Sequence, residues 1–244
     1  MNKLNKTLFW VILFSIAMGF MESAVVIYLR EIYYKTGFQF PLVPIDPKIA
    51  RVEFLRELAT IIMLVGIGYT AGKNILQRFA YFSLSFAIWD IFYYVFLYVF
   101  LGWPYSLNTW DILFLIPFPW VGPVWAPCLI SLLMIVGSIF AIQQIDKNIE
   151  FKINKPTWIL LISGALLCIV SFMWDYLTIT PVDKLWNIST EQSLFNEIST
   201  YVPQTFNYSL FSIGFLTMLI PVCHTIYKTY NTIYLTTKTS NNGK

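Results

Sequence analysis

Residues 83–101 read SLSFAIWDIFYYVFLYVFL, and Asp90 is the only charged residue among them. An apolar run of about 20 residues is long enough to cross the hydrocarbon core of a bilayer as a helix. A carboxylate inside such a run is costly, so Asp90 marks a candidate functional site within a membrane.

Three of the six aspartates directly follow a tryptophan. In a random arrangement of nine Trp and six Asp, about 0.2 such pairs are expected. The pairs therefore predict a polar site inside a membrane protein, although they do not identify its chemistry. They are Trp89-Asp90, Trp110-Asp111 and Trp174-Asp175.

Composition indicates an integral membrane protein, with the lipid bilayer as its first partner. Hydrophobic residues make up 57% of the chain and charged residues 12%, whereas soluble domains carry about 25% charged residues. The net charge of +3 is too small to predict a nucleic-acid partner. Cys128, Cys168 and Cys223 lie in apolar runs without a CxxC motif, which argues against a disulfide framework.

The hydropathy pattern predicts an all-α, polytopic transmembrane helix bundle of about six spans. The N-terminal run resembles a signal peptide, but Glu22 occupies position −3 of the only plausible cleavage site, after Ala24, so we expect an uncleaved first span. Residues 1–230 are predicted to form one domain and residues 231–244 a disordered cytoplasmic tail. The predicted spans are Leu8–Leu29, Glu53–Gly72, Phe79–Leu101, Val124–Gln143, Thr157–Ile179 and Tyr208–Tyr227.

Lysine and arginine bias predicts cytoplasmic N- and C-termini in a plasma (inner) membrane. With this orientation ten basic residues lie inside and six outside. The first outer loop breaks the rule, because four basic residues fall within Arg30–Arg51. We expect nearby acids to hold those charges. The acids themselves are one-sided, since only Asp146 and Glu150 face the cytoplasm.

The segment Trp103–Pro127 contains five prolines and lies between the third and fourth spans. Its centre is apolar but too short to cross the membrane, which predicts an interfacial or re-entrant element. We expect this element to cap a pocket from the outer side. The predicted cap residues are Trp110, Asp111, Trp120 and Trp125.

Several charges fall at membrane depth in the predicted spans. Glu22 lies about 22 Å into the first span at 1.5 Å per residue, Asp90 lies near the middle of its span, and Tyr94 follows Asp90 at i+4. These positions indicate a hydrated outer pocket or, alternatively, internal ion pairs that fasten the helices together. The candidate ligand- or proton-binding residues are Glu22, Asp90, Glu57, Asp175, Arg56 and Tyr94.

The sequence assigns no cofactor, no metal and no catalytic residue. His224 is the only histidine, so a His-pair metal site cannot form within the chain, and no GxSxG, HExxH, P-loop or dinucleotide motif is present. Small-residue sites such as Gly66 and Gly68 suit close helix contact within the bundle or in a homodimer.

Three functions remain open on these observations. The first is a membrane protein with an outward-facing acidic and aromatic pocket that binds or transports a small cationic or protonatable solute. The second is an enzyme that uses carboxylate acid and base groups, or a carboxylate-bound divalent ion, on a lipid-linked substrate. The third is a structural or accessory subunit whose buried charges stabilise the fold.

Overall fold

The computed structural model describes residues 2–35, 37–116, 118–147, 151–180 and 199–242, with no side-chain description for residues 233–242. The described chain forms long helices and one two-stranded hairpin. The helices are α1 (Lys3–Tyr33), α2 (Pro47–Ala71), α3 (Ile75–Leu101), α4 (Trp125–Asp146), α5 (Lys155–Ile179) and α6 (Tyr208–Asn242), and the strands are β1 (Trp110–Phe114) and β2 (Trp120–Pro123).

In the described residues, six helices are long and apolar enough to cross a membrane, and each one matches a predicted span to within one residue or extends beyond it. The predicted fold class, a six-span transmembrane helix bundle, is therefore confirmed, and the chain is a multi-pass membrane protein. Each helix also continues past the apolar run that predicted it, because hydropathy reports only the part in hydrocarbon.

Capping residues set most of the helix ends. The side chains of Asn2, Asn74 and Asn154 each accept a hydrogen bond from the backbone amide three residues later, at 2.9 Å. Asp46 caps α2 ahead of Pro47. Gly102 ends α3 in the left-handed conformation, with φ of 63°, which glycine adopts without steric cost. These caps explain why the helices begin several residues before the hydrophobic segments do.

The predicted disordered tail, residues 231–244, stays a prediction. The backbone of α6 continues as helix to Asn242. Residues 231–242 contain neither proline nor glycine, so no strong helix breaker lies in this last part of the helix. The grouping of residues 1–230 as one domain stays a prediction.

Helices α1 and α3 run parallel in close contact, as expected when α2 crosses between them. Ser15 Oγ lies 2.7 Å from Ser85 Oγ, and Ser23 Oγ donates to the backbone oxygen of Tyr93 at 3.0 Å. The pairs keep a constant offset of 70 residues. This contact fixes the depth of α1 relative to α3, and hence the depths of the charges on both helices.

Helices α5 and α6 form an antiparallel pair. A Cβ atom at Gly164 would lie 2.6 Å from Met218 Cγ, and Cys168 Sγ donates to the backbone oxygen of Phe211 at 3.8 Å. Glycine at position 164 therefore permits the close approach of the two backbones. In the described residues α4 packs mainly on α3, so α3–α4 and α5–α6 are two separate close-packed pairs.

The segment between α3 and α4 is a β-hairpin that enters the bundle. Strands β1 and β2 pair antiparallel, with Asp111 opposite Gly122 and Trp110 opposite Pro123. Asp111 and Val121 are buried, and the Val124 amide bonds back to Thr109 at 3.0 Å before α4 begins. We call the end of the bundle that carries this hairpin the hairpin side.

Gly68 and Gly66 provide a matched test of the α2–α3 contact. A Cβ at Gly68 would lie 2.8 Å from Arg78 O and Phe82 Cβ, whereas nothing lies within 4 Å of a Cβ at Gly66. We expect Gly68→Ala to destabilise the protein by about 1–3 kcal/mol through overpacking. Gly66→Ala should be neutral or stabilising by up to about 1 kcal/mol. Thermal unfolding of the purified protein measures both, and equal stabilities for the two variants contradict the packing.

Candidate functional site

A cavity of about 140 Å³ lies between α1, α2, α3 and the hairpin. We call it the polar cavity, because five carboxyl groups and two guanidinium groups line it. A single ordered water needs about 10–15 Å³ by a comparable measure, so the polar cavity has room for several waters or a small organic guest. Its charged lining residues are Glu22, Glu53, Glu57, Asp90, Asp111, Arg30 and Arg56.

Arg56 compensates two of these carboxylates. Its guanidinium donates hydrogen bonds to Glu22 on α1 and to Glu53 on its own helix. Thr60 Oγ1, one turn further along α2, donates to the second oxygen of Glu22 at 3.3 Å. Charge-assisted pairs of this kind are strong when they are shielded from water, so this cluster fastens α1 to α2 at membrane depth.

Arg30 compensates a third carboxylate from the hairpin. Its Nη2 lies 3.5 Å from Asp111 Oδ1, and both side chains are buried. The guanidinium carbon lies 4.4 Å from the ring centre of Phe38 and 3.7 Å from that of Trp103. Two aromatic faces thus stabilise the cation. The first-loop charge at Arg30 is held by a nearby acid, as the sequence analysis expected.

Asp111 lies on β1, outside the spanning helices, and the hydroxyl of Tyr93 donates to it at 3.4 Å. Burial raises the pKa of Asp111 to about 6, although Arg30, the Ile112 amide and the hydroxyl of Tyr94 favour its ionised form. Desolvation outweighs the favourable contacts here, because the carboxyl is 2% exposed.

Glu57 and Asp90 form no ion pair within the described part of the chain. Glu57, which is buried, accepts a hydrogen bond from the Leu115 amide at 3.2 Å. Asp90, which is partly buried, accepts one from Ser131 Oγ on α4 at 2.8 Å. An ionised carboxylate shielded from water is costly unless a cation neutralises it. These two groups therefore favour a proton or a bound cation.

The structure brings six of the predicted site residues to one cavity and leaves four elsewhere. The residues that line the cavity and those that do not both come from several elements, so a residue's position in the sequence does not tell to which set it belongs. The six that line the polar cavity are Glu22, Glu57, Asp90, Arg56, Tyr94 and Asp111, and the four that do not are Asp175, Trp110, Trp120 and Trp125.

Asp175 fastens a connecting segment to the end of α5. It accepts hydrogen bonds from Tyr201 Oη at 2.6 Å, from the Gln204 amide at 3.0 Å, and from the amide and hydroxyl of Thr205 at 2.9 and 3.0 Å. The side chain is 3% exposed. These bonds satisfy the carboxylate locally, so its geometry indicates a structural role away from the polar cavity.

The three tryptophans predicted as a cap belong to an aromatic cluster beside the polar cavity. Trp120 stacks on Phe172 of α5 with an interplanar angle of 3°. Trp110 and Trp125 both pack edge-on against Phe206. Asp111 is the only one of the four predicted cap residues that lines the polar cavity. Trp120 instead anchors the hairpin to α5, Trp110 anchors it to Phe206, and Trp125 joins the start of α4 to the start of α6.

A second cavity, of about 450 Å³, lies between the α3–α4 and α5–α6 pairs. We call it the apolar cavity, because its lining is almost entirely hydrocarbon and aromatic. Asp90 is the only charged residue among the described residues that line it. Asp90, Leu113 and Phe114 line both cavities, so the two cavities adjoin at these three residues.

The described residues contain no group of three or more His, Cys, Asp or Glu side chains arranged to hold a metal ion. His224 is exposed on α6 and does not line the polar cavity. The carboxyls of the polar cavity are directed instead toward guanidinium groups, hydroxyls and backbone amides.

Sequence reasoning missed three contributors to the site. Ser131 binds Asp90 from α4, and the Leu115 amide binds Glu57 from the hairpin. Trp89 lines the polar cavity with a buried Nε1 that has no hydrogen-bond partner among the described residues. Serines are common in spans, so nothing in the pattern singles out Ser131, and Trp89 was noted only as the neighbour of Asp90. The one feature of the sequence that could have indicated a further site residue is Arg30, an arginine at the end of the first span.

Comparisons with protein-family models, curated proteins and solved structures gave no match. The function must therefore be argued from the site itself.

The raised pKa of Asp111 predicts a pH dependence of stability. Between pH 4 and 6 the unfolded chain ionises at this position while the folded chain keeps its proton, so stability falls as the pH rises through this window. The shift of about two pKa units corresponds to about 3 kcal/mol. We expect Asp111→Asn to lose this slope in thermal unfolding measured from pH 4 to pH 7.

Glu31→Gln is the control for this experiment, because Glu31 is exposed and does not line the polar cavity. It should keep the wild-type slope. An Asp111→Asn profile parallel to the wild type shows that Asp111 titrates alike in the folded and unfolded chains, and that outcome contradicts the prediction.

Proposed function

We propose that this protein binds a small cationic or protonatable solute in the polar cavity and carries it across the membrane. The observation that supports this function best is the charge imbalance of the cavity. Five carboxyls face two guanidinium groups, and the guanidinium groups are already paired with Glu22, Glu53 and Asp111.

The two remaining carboxyls, Glu57 and Asp90, supply the cation site. Each has one neutral hydrogen-bond donor and forms no ion pair in the described residues. An ammonium group binds such carboxylates through charge-assisted hydrogen bonds, which contribute about 1.5–3 kcal/mol each. A proton on either carboxyl competes with the solute, and this competition couples solute binding to protonation.

Two buried donors favour a guest that also presents an acceptor. Arg30 Nη1 and Trp89 Nε1 have no hydrogen-bond partner among the described residues, and both side chains line the cavity. Buried donors in native proteins are nearly always satisfied by protein, ligand or ordered water. An amine with a hydroxyl or carbonyl group, or an amine bound with water, meets both requirements.

Access from the hairpin side is suggested by the lining. Phe38, Leu42 and Ile45, from the connection between α1 and α2, line the same cavity as the deeper Glu22 and Asp90. We propose that the hairpin side faces outward and that both termini are cytoplasmic in a plasma membrane, following the bias of the lysine and arginine residues.

Binding of n-butylammonium to purified protein tests the cation site. We expect Glu57→Gln and Asp90→Asn each to weaken binding by about 10- to 100-fold, the loss of one charge-assisted contact. Isothermal titration at several pH values measures the affinity, and lower pH should weaken binding to the wild type. The matched control is Glu31→Gln, which removes an exposed acid outside the cavity and should bind as the wild type does.

Wild-type affinity in both variants contradicts the cation site. Proteoliposome flux of the same amine separates carriage from binding alone: uptake that Asp90→Asn abolishes supports a carrier, and binding without uptake contradicts the transport part. Recovery of a chemically converted amine favours the enzyme hypothesis instead.

A further inference from the structure

The shared position of Asp90 connects the polar cavity to a hydrocarbon-lined one. On α3 the apolar cavity is lined from Leu76 to Asp90, a distance of about 21 Å at 1.5 Å per residue. Half of a bilayer's hydrocarbon core is about 15 Å thick. The apolar cavity is therefore long enough for a hydrocarbon chain of one leaflet.

The apolar cavity has a volume of about 450 Å³ and is half open toward the outside of the bundle. In a membrane, the outside of a helix bundle faces hydrocarbon. Few polar groups line the cavity, whereas a bound water needs two to four polar partners. Hydrocarbon is the chemistry that its lining accommodates.

The charges near Asp90 determine which head group a bound hydrocarbon chain carries. Among the described residues, Asp90 is the only charged group that lines the apolar cavity, and it lies at the junction with the polar cavity, where carboxylates outnumber guanidinium groups. A phosphate or carboxylate head at this junction meets uncompensated negative charge, whereas an ammonium head is attracted by Asp90 and Glu57.

We propose that the solute of this protein is an amphiphile with an ammonium head and a hydrocarbon chain. The head binds Glu57 and Asp90 in the polar cavity, and the chain lies in the apolar cavity toward Leu76. This inference rests on the proposed cation site, and it names the class of solute that the site takes.

The experiment uses the full-length protein in phosphatidylcholine nanodiscs and dodecylamine with a diazirine at its terminal carbon. After irradiation, peptide mass spectrometry locates the label. We expect it near the end of the apolar cavity farthest from Asp90, on residues such as Leu76, Phe140 and Ile226. Excess unlabelled dodecylamine should remove this labelling.

Gly137→Leu is the blocking variant. Gly137 lines only the apolar cavity, and a Cβ there meets Val222 at 3.7 Å, an ordinary contact that leaves the fold intact. The added side chain should reduce the labelling about tenfold or more by exclusion, with n-butylammonium binding unchanged. The neighbouring Val136→Leu, at a position 55% exposed on the outside of α4, should leave both unchanged.

The outcomes separate the two proposals. Competable labelling in the apolar cavity that Gly137→Leu removes supports the amphiphile. Labelling confined to the outer face of α4, with butylammonium still bound through Glu57 and Asp90, overturns the amphiphile and leaves the cation site standing. Failure of both amines to bind in an Asp90-dependent manner overturns both proposals.

Discussion

The guanidinium of Arg56 is the interaction on which the rest of this bundle depends. It lies between Glu22 of α1 and Glu53 of its own helix, at a depth where an unpaired charge is costly. Removing one partner of a shielded ion pair costs about 3–5 kcal/mol, because the other charge is then left uncompensated. The pair thereby sets the register of α1 against α2. The Ser15–Ser85 contact sets α1 against α3, so three helices take their relative depths from a few polar contacts.

The arginines of the polar cavity neutralise only some of its carboxyls, and the carboxyls that remain define the chemistry of this site. Arg30 and Arg56 together account for three of the five carboxyls in the polar cavity. Glu57 and Asp90 are left with neutral donors. Glu57 bonds to the hairpin and Asp90 to α4, but neither bond supplies a positive charge. Each carboxylate therefore keeps a desolvation cost that no ion pair offsets. Under the proposed function, this cost is stability given up for binding.

Helix depth could be predicted from the sequence, whereas lateral neighbours could not. The rise of 1.5 Å per residue placed Glu22 at membrane depth, and Glu22, Arg56, Glu57, Asp90 and Tyr94 line one cavity in the structure. The sequence analysis also counted Asp175, near the end of α5, among the candidates for this site. Its helix belongs to the other packed pair, and Tyr201 and Thr205 bind it there. The segment 103–127 was predicted not to span the membrane, because its apolar centre is too short. Its pattern did not predict that β1 would place Asp111 inside the bundle, or that the neighbouring tryptophans would pack outside the polar cavity.

The passage from β2 into α4 has a mechanical consequence. Val124 alone separates Pro123 from Trp125, so no flexible loop isolates strand from helix. A tilt of α4 that widens the gap beside α5 therefore moves the hairpin together with the helix. The opposite strand carries Asp111 and leads directly to the Leu115 amide that binds Glu57. Only a few covalently linked residues therefore separate α4 from the polar cavity, so a displacement of the helix changes the cavity, and a displacement of the hairpin changes the helix.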